Sequence, residues 1–278
     1  MGSGLDASPT RARLNRAKPY PPSAIATEKR LTETAILAQA PLWILPVAWV
    51  MLTDRLAIWD DTYLLNFCIL VAAPSVFVPA IALPRSAQKW PYWLKLHVWV
   101  GIIVFFGTYL GTHYFFDFMG MRYTFGEGHA TFDSTLGRSG QHVPLFMYPL
   151  THAYFMTYYA VLMWTERKLL ENLPYCLSKS VMARASITFI LSYALAFLET
   201  LAMAVDAMAP YFAYENRCRM MMLGSWGYAS YFVVGLPMVR RIDEDGEWDM
   251  GRVVLQAAGS CMGILALLEM WTHIVGPL

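Results

Sequence analysis

ARASITFILSYALAFLETLAMAVD, residues 183 to 206, reads as a membrane-spanning helix with a carboxylate, Glu199, set in hydrocarbon. At 3.6 residues per turn Ser192, Glu199 and Asp206 fall on one face, which makes that face polar along its length. An acidic side chain at mid-bilayer depth costs roughly 2.5 to 3.5 kcal/mol on insertion scales, so it turns toward a protein interior and takes a partner. Glu199 is therefore the first candidate for a functional group, and a plain helix–helix tie is the competing reading.

The remaining chain agrees with a membrane setting. Of its 278 residues 57% are hydrophobic and 15% charged, and the mean hydropathy is +0.39. A soluble domain carries about a quarter charged residues. Seven apolar segments, near 33–53, 62–83, 96–116, 142–164, 183–206, 219–239 and 252–274, are each long enough to cross about 30 Å of hydrocarbon. These define an all-α, polytopic transmembrane helical bundle of about seven spans, with residues 1–30 as a disordered polar tail and 31–278 as the transmembrane domain. Lys and Arg divide 16 to 5 between alternate connections, the N-terminal tail being on the rich side. That asymmetry puts the N-terminus in the cytosol and the C-terminus across the membrane.

Several functions are unsupported. No basic patch interleaved with aromatics offers a nucleic-acid surface, and neither a phosphate cradle nor a serine-hydrolase elbow occurs. Cys68, Cys176, Cys218 and Cys261 lack paired spacing and read as free thiols. With no metal-ligand motif in any span, neither cofactor nor metal is expected. The run RRIDEDGEWD, 240–249, reads as a solvated turn, with Asp249 capping the last span. The glycine-rich connection 117–141 reads as a flexible loop.

Two aromatic stripes flank imidazoles. Tyr109, His113 and Phe116 follow i, i+4, i+7 in the third span; Tyr148, His152, Phe155 and Tyr159 repeat the pattern in the fourth. Gly107 and Gly111, four apart, would let a second helix approach closely. His113 by itself equally reads as a hydrogen-bonded core histidine, and Glu269 with His273 as an interfacial pair. Trp226, Ser230 and Tyr231 add to the sixth span. A carboxyl removed from water retains its proton and can act as a general acid, while aromatic faces stabilise a cation without quenching it. The kit suits proton transfer to a lipid-like substrate. It also suits a proton pathway or an amine-binding sensor or transporter, although no matched pair of broken half-helices marks a transporter.

The ordered blocks THYFF (112–116), YTF (123–125), TH (151–152), FLET (197–200) and SYFVVGLPMVRRIDEDGEWDMGRV (230–253) resemble the cycloeucalenol cycloisomerase family over residues 35–277. The N-terminus and the loop 126–141 are longer than in that family. The resemblance implies a sterol-biosynthesis isomerase of the endoplasmic reticulum membrane. Its reaction would open the 9β,19-cyclopropane of a membrane-embedded cyclopropyl sterol to a Δ8 product without a cofactor. A sterol Δ8–Δ7 double-bond isomerase would use the same acid and cation chemistry. On this reading Glu199, His113 and His152 handle the protons, and Tyr109, Phe116, Tyr148, Tyr193, Trp226 and Tyr231 line the substrate pocket. Oligomeric state is not readable from the chain.

Overall fold

The computed structural model describes residues 22–124 and 129–278. Helix α1 (Pro22–Gln39) ends where Pro41 removes a backbone donor, and α2 (Pro41–Leu52) continues at a break. A short α3 (Arg55–Ile58) leads to α4 (Asp61–Ala82), whose first turn is capped by Asp60 accepting from Tyr63 N at 2.9 Å. Helix α5 (Tyr92–Phe106) passes through a π turn (Gly107–Gly111) into α6 (Thr112–Asp117). Strand β1 (Met121–Tyr123) pairs antiparallel with β2 (Phe212–Tyr214), Arg122 facing Ala213. Between them lie α7 (Met147–Asn172), a short α8 (Tyr175–Ser178) and α9 (Val181–Met203). After β2 a single turn, α10 (Arg217–Arg219), and a second π turn (Met220–Gly224) start α11 (Ser225–Arg240), and α12 (Met250–Val275) closes the chain.

All seven predicted spans coincide with helical rods. Five rods, Ala24–Leu52, Asp61–Ala82, Tyr92–Asp117, Val181–Met203 and Met250–Val275, are long and apolar enough to cross a membrane. The other two are α7, whose last turns carry Glu166, Arg167, Lys168 and Glu171, and the 16-residue α11. Helix α11 packs between α9 and α12, α12 on α5, and α7 against α4, α1 and α5. Leu45, Leu70, Ile81, Leu255 and Ile274 point outward, an apolar belt suited to lipid.

Three expectations need correction. The tail was expected to run to residue 30, but the helix begins at Pro22; residues 1–21 lie outside the described residues. The run 240–249 is a turn exposed over most of its length, but it is not solvated throughout, because Ile242, Asp243 and Trp248 are buried. Asp243 takes both a two-point bond from Lys95 Nζ (2.9 and 3.0 Å) and Trp248 N at 2.7 Å, with Gln88 Oε1 2.6 Å from the same Nζ. A buried charge demands such a partner set. The connection 117–141 is held at several described points: Asp117 accepts from Arg138 N and Ser139 N, and Tyr109 O accepts from Ser134 N. Asp249 caps α12 as expected, accepting from Arg252 N at 2.7 Å.

Candidate active site

One face of α7 presents Thr151, Tyr154, Phe155 and Tyr158, at the i, i+3, i+4, i+7 spacing of a single helical stripe. These side chains form one wall of a cavity with about 1120 Å³ of empty space, including its mouth. Trp43, Val47 and Met51 of α2, four residues apart, build a second wall. Glu199, Thr200 and Met203 enter from α9, Tyr228 and Tyr231 from α11, and the β1–β2 pair closes one end with Tyr123 and Tyr214.

Glu199 is the carboxyl on this wall among the described residues. Tyr228 Oη donates a hydrogen bond to its Oε2, and the Tyr158 phenol lines the same cavity from α7. Phenols from α7 and α11 thus flank one acid. Phe155 meets Tyr231 edge-on at 5.9 Å and Phe115 meets Tyr228 at 5.3 Å, so π faces and edges surround the space beside it. At the hairpin end, burial raises the Tyr123 and Tyr214 phenols, which therefore stay neutral hydroxyls.

Of the nine residues singled out in the sequence, Glu199 and Tyr231 line the cavity, and Phe116 packs edge-on against Tyr123 at 4.9 Å. The rest lie elsewhere. His113 sits beneath the loop 129–145, with Nε2 3.6 Å from Asp133 Oδ2 and Phe116 at 5.8 Å. His152 bonds His97, Nε2 to Nδ1 at 3.0 Å, away from the cavity. Tyr109 and Tyr148 cluster with Phe105 and Phe132, and Tyr193 stacks on Trp226 at 4.1 Å on the outer side of α9 and α11. The expectation that two imidazoles share a void with Glu199 is therefore corrected.

The cause is local geometry. The π turn at 107–111 carries an extra residue, and one residue rotates everything after it by about 100° relative to an unbroken helix. His113 is thereby moved off the face counted from Tyr109. The same turn makes a notch at Gly107 and Gly111, and the Tyr231 ring fills it: a methyl group on Gly107 would lie 2.8 Å from that ring. The spacing marks a seat for a side chain, where a second helix was expected. Tyr158 and Tyr228 were missed, although Tyr158 shares a helical stripe with Thr151 and Phe155.

The fold and cavity define a polytopic helical membrane protein with an aromatic chamber built around one phenol-held carboxyl. The chain is similar to cycloeucalenol cycloisomerase from Arabidopsis thaliana, at 29% identity over 264 residues that cover 90% of this chain and 88% of that one. The match bears out the resemblance carried by the sequence blocks and the enzyme class it implied, an isomerase. No protein-family model matches the chain, and no solved structure matches it.

Proposed function

We propose that this protein opens the 9β,19-cyclopropane ring of a cyclopropyl sterol, converting cycloeucalenol to obtusifoliol, a Δ8 sterol, by acid–base catalysis inside the membrane. The observation that carries this reading is Glu199, held by Tyr228 in an aromatic cavity that Tyr158 also lines. Ring opening requires a proton on carbon 19, a tertiary cation at carbon 9 and loss of hydrogen from carbon 8. Glu199 in its protonated form is the donor. The rings of Phe115, Phe155, Tyr228 and Tyr231 supply π density to the cation, and enclosure keeps water from capturing it. The change is redox-neutral and consumes no cofactor. The partners are the sterol and the bilayer that delivers it; the family resemblance implies the endoplasmic reticulum membrane, and the Lys and Arg asymmetry supports a cytosolic N-terminus.

The test is expression in membranes of a host lacking the activity, fed in parallel with cycloeucalenol and a Δ8 sterol, with products analysed by mass spectrometry. Obtusifoliol from the first and no change in the second is expected. Conversion of the Δ8 sterol alone would replace this reading with double-bond isomerisation, and no conversion of either would end it.

A further inference from the structure

Tyr228 on α11 donates to the Glu199 carboxyl, and Tyr158 on α7 lines the same cavity. The other polar side chains on the described wall are phenols and threonine hydroxyls, several already engaged: Tyr154 Oη donates to Thr151 Oγ1 at 3.0 Å, and Thr200 Oγ1 to Ala196 O at 2.9 Å. A neutral hydroxyl is a far weaker base than a carboxylate. The strongest base beside the substrate, once a proton has been given up, is therefore the group that gave it. Resting on the reading above, we propose that the Glu199 carboxyl both delivers and recovers the proton, with Tyr228 as a positioning residue that holds the carboxylate while the cation exists.

The steps balance. The carboxyl O–H bond breaks as the electron pair of the carbon 9–carbon 19 bond forms a new C–H bond at carbon 19, leaving the cation at carbon 9 and a carboxylate. The electron pair of the carbon 8–hydrogen bond then becomes the carbon 8–carbon 9 double bond, and its proton returns to the carboxylate. Substrate and product are isomers, and the acid is regenerated. Both reacting carbons are bonded to carbon 9, and the 8β hydrogen shares a face with the 9β,19 bridge. One carboxyl with two oxygens can serve both. The Tyr228 phenol donates to the carboxyl, which stabilises it most when it is charged.

The consequence is that hydrogen passes from one substrate molecule to the next. Membranes holding the full chain would be given a mixture of cycloeucalenol deuterated at carbon 8 and cycloeucalenol marked with carbon-13 in its side chain, in ordinary water. The expected result is carbon-13-marked product carrying deuterium in its carbon 19 methyl, in a fraction that rises with substrate concentration. Carbon-13-marked product free of deuterium at every concentration overturns the proposal while leaving ring opening intact. No ring-opened product at all would overturn the underlying reading instead. Tyr228→Phe should lower kcat about 10- to 100-fold, the loss of one hydrogen bond to a charged group, with KM within about twofold; an equal loss in KM and none in kcat would remove Tyr228 from this role.

Discussion

His97 Nε2 lies 2.8 Å from the backbone carbonyl of Ser75, the carbonyl that Pro79 leaves without a helical donor. Proline at position i has no N–H for the carbonyl at i−4, and in hydrocarbon that oxygen must find another donor. For a neutral His97 this fixes the proton on Nε2, so Nδ1 accepts from Nε2–H of His152 at 3.0 Å. The imidazole pair thus ties α7 and α5 to the kink of α4. His97→Ala should destabilise the bundle by about 1 to 3 kcal/mol, the cost of an orphaned buried acceptor. Pro79→Ala restores the missing donor, so the double variant should lose less than the sum of the single changes. Unfolding of the purified variants in detergent measures both, and strict additivity would contradict the arrangement.

A structural duty for His152 separates it from the chemistry. A working general base contributes about 10²- to 10⁴-fold. His152→Ala, assayed on folded protein, should keep turnover within about tenfold of the parent, well short of that contribution. A fall of two orders of magnitude would bring the imidazole back into the mechanism.

The sequence made the bundle legible because spans announce themselves by length and apolarity, and Glu199 because a carboxyl in hydrocarbon is conspicuous without any coordinates. Face assignments depended on phase. Glu199 on α9 and Tyr231 on α11 reach the cavity while Tyr193 and Trp226 on the same two helices face outward, and the phase failed past the π turn at Gly107, which no residue pattern declares. His152 was misread because its partner, His97, belongs to another span, and the need for that partner arises at Pro79 on a third. Asp243 looked solvated amid RRIDEDGEWD because its counter-ion, Lys95, is 148 residues away. Pairings between distant segments leave no local signature.

Lys95 and Asp243 are both fully buried. Removing one partner strands a charge, at about 3 to 5 kcal/mol. Asp243→Asn is the sharper probe: Asp243 has φ +62°, which asparagine also tolerates, so backbone strain is unchanged while the charge and one of the two acceptor oxygens facing Lys95 are lost. The variant should unfold at clearly lower temperature, and Lys95→Met combined with Asp243→Asn should recover part of the loss. If Asp243→Asn melts with the parent, the pair contributes nothing.

The notch at Gly111 predicts a paired effect. A methyl group there would overlap the Tyr231 hydroxyl, and since that ring lines the cavity, Gly111→Ala should push it into the space the substrate needs. Turnover should fall with a rise in KM. Tyr231→Phe removes the overlapping oxygen, so it should restore part of the binding in the Gly111→Ala background while changing little alone. Independent effects would mean that Tyr231 does not transmit the change.

The sharpest test lies at Glu199. Glutamine keeps the shape of the side chain, and its amide oxygen can still accept from Tyr228, but it has no acidic proton to give. Glu199→Gln should therefore preserve folding and sterol binding while turnover falls about 100-fold or more, the magnitude of a lost general acid. Folding is checked by thermal unfolding, binding by displacement of a radiolabelled sterol, and rate by the ring-opening assay. His273→Ala is the control: His273 Nε2 lies 3.2 Å from Glu269 Oε1 at an exposed helix end, where such pairs contribute little, so its rate should match the parent. A folded, sterol-binding Glu199→Gln with near-normal turnover would mean that the proton comes from elsewhere, leaving the phenol-held carboxyl as a tie between α9 and α11.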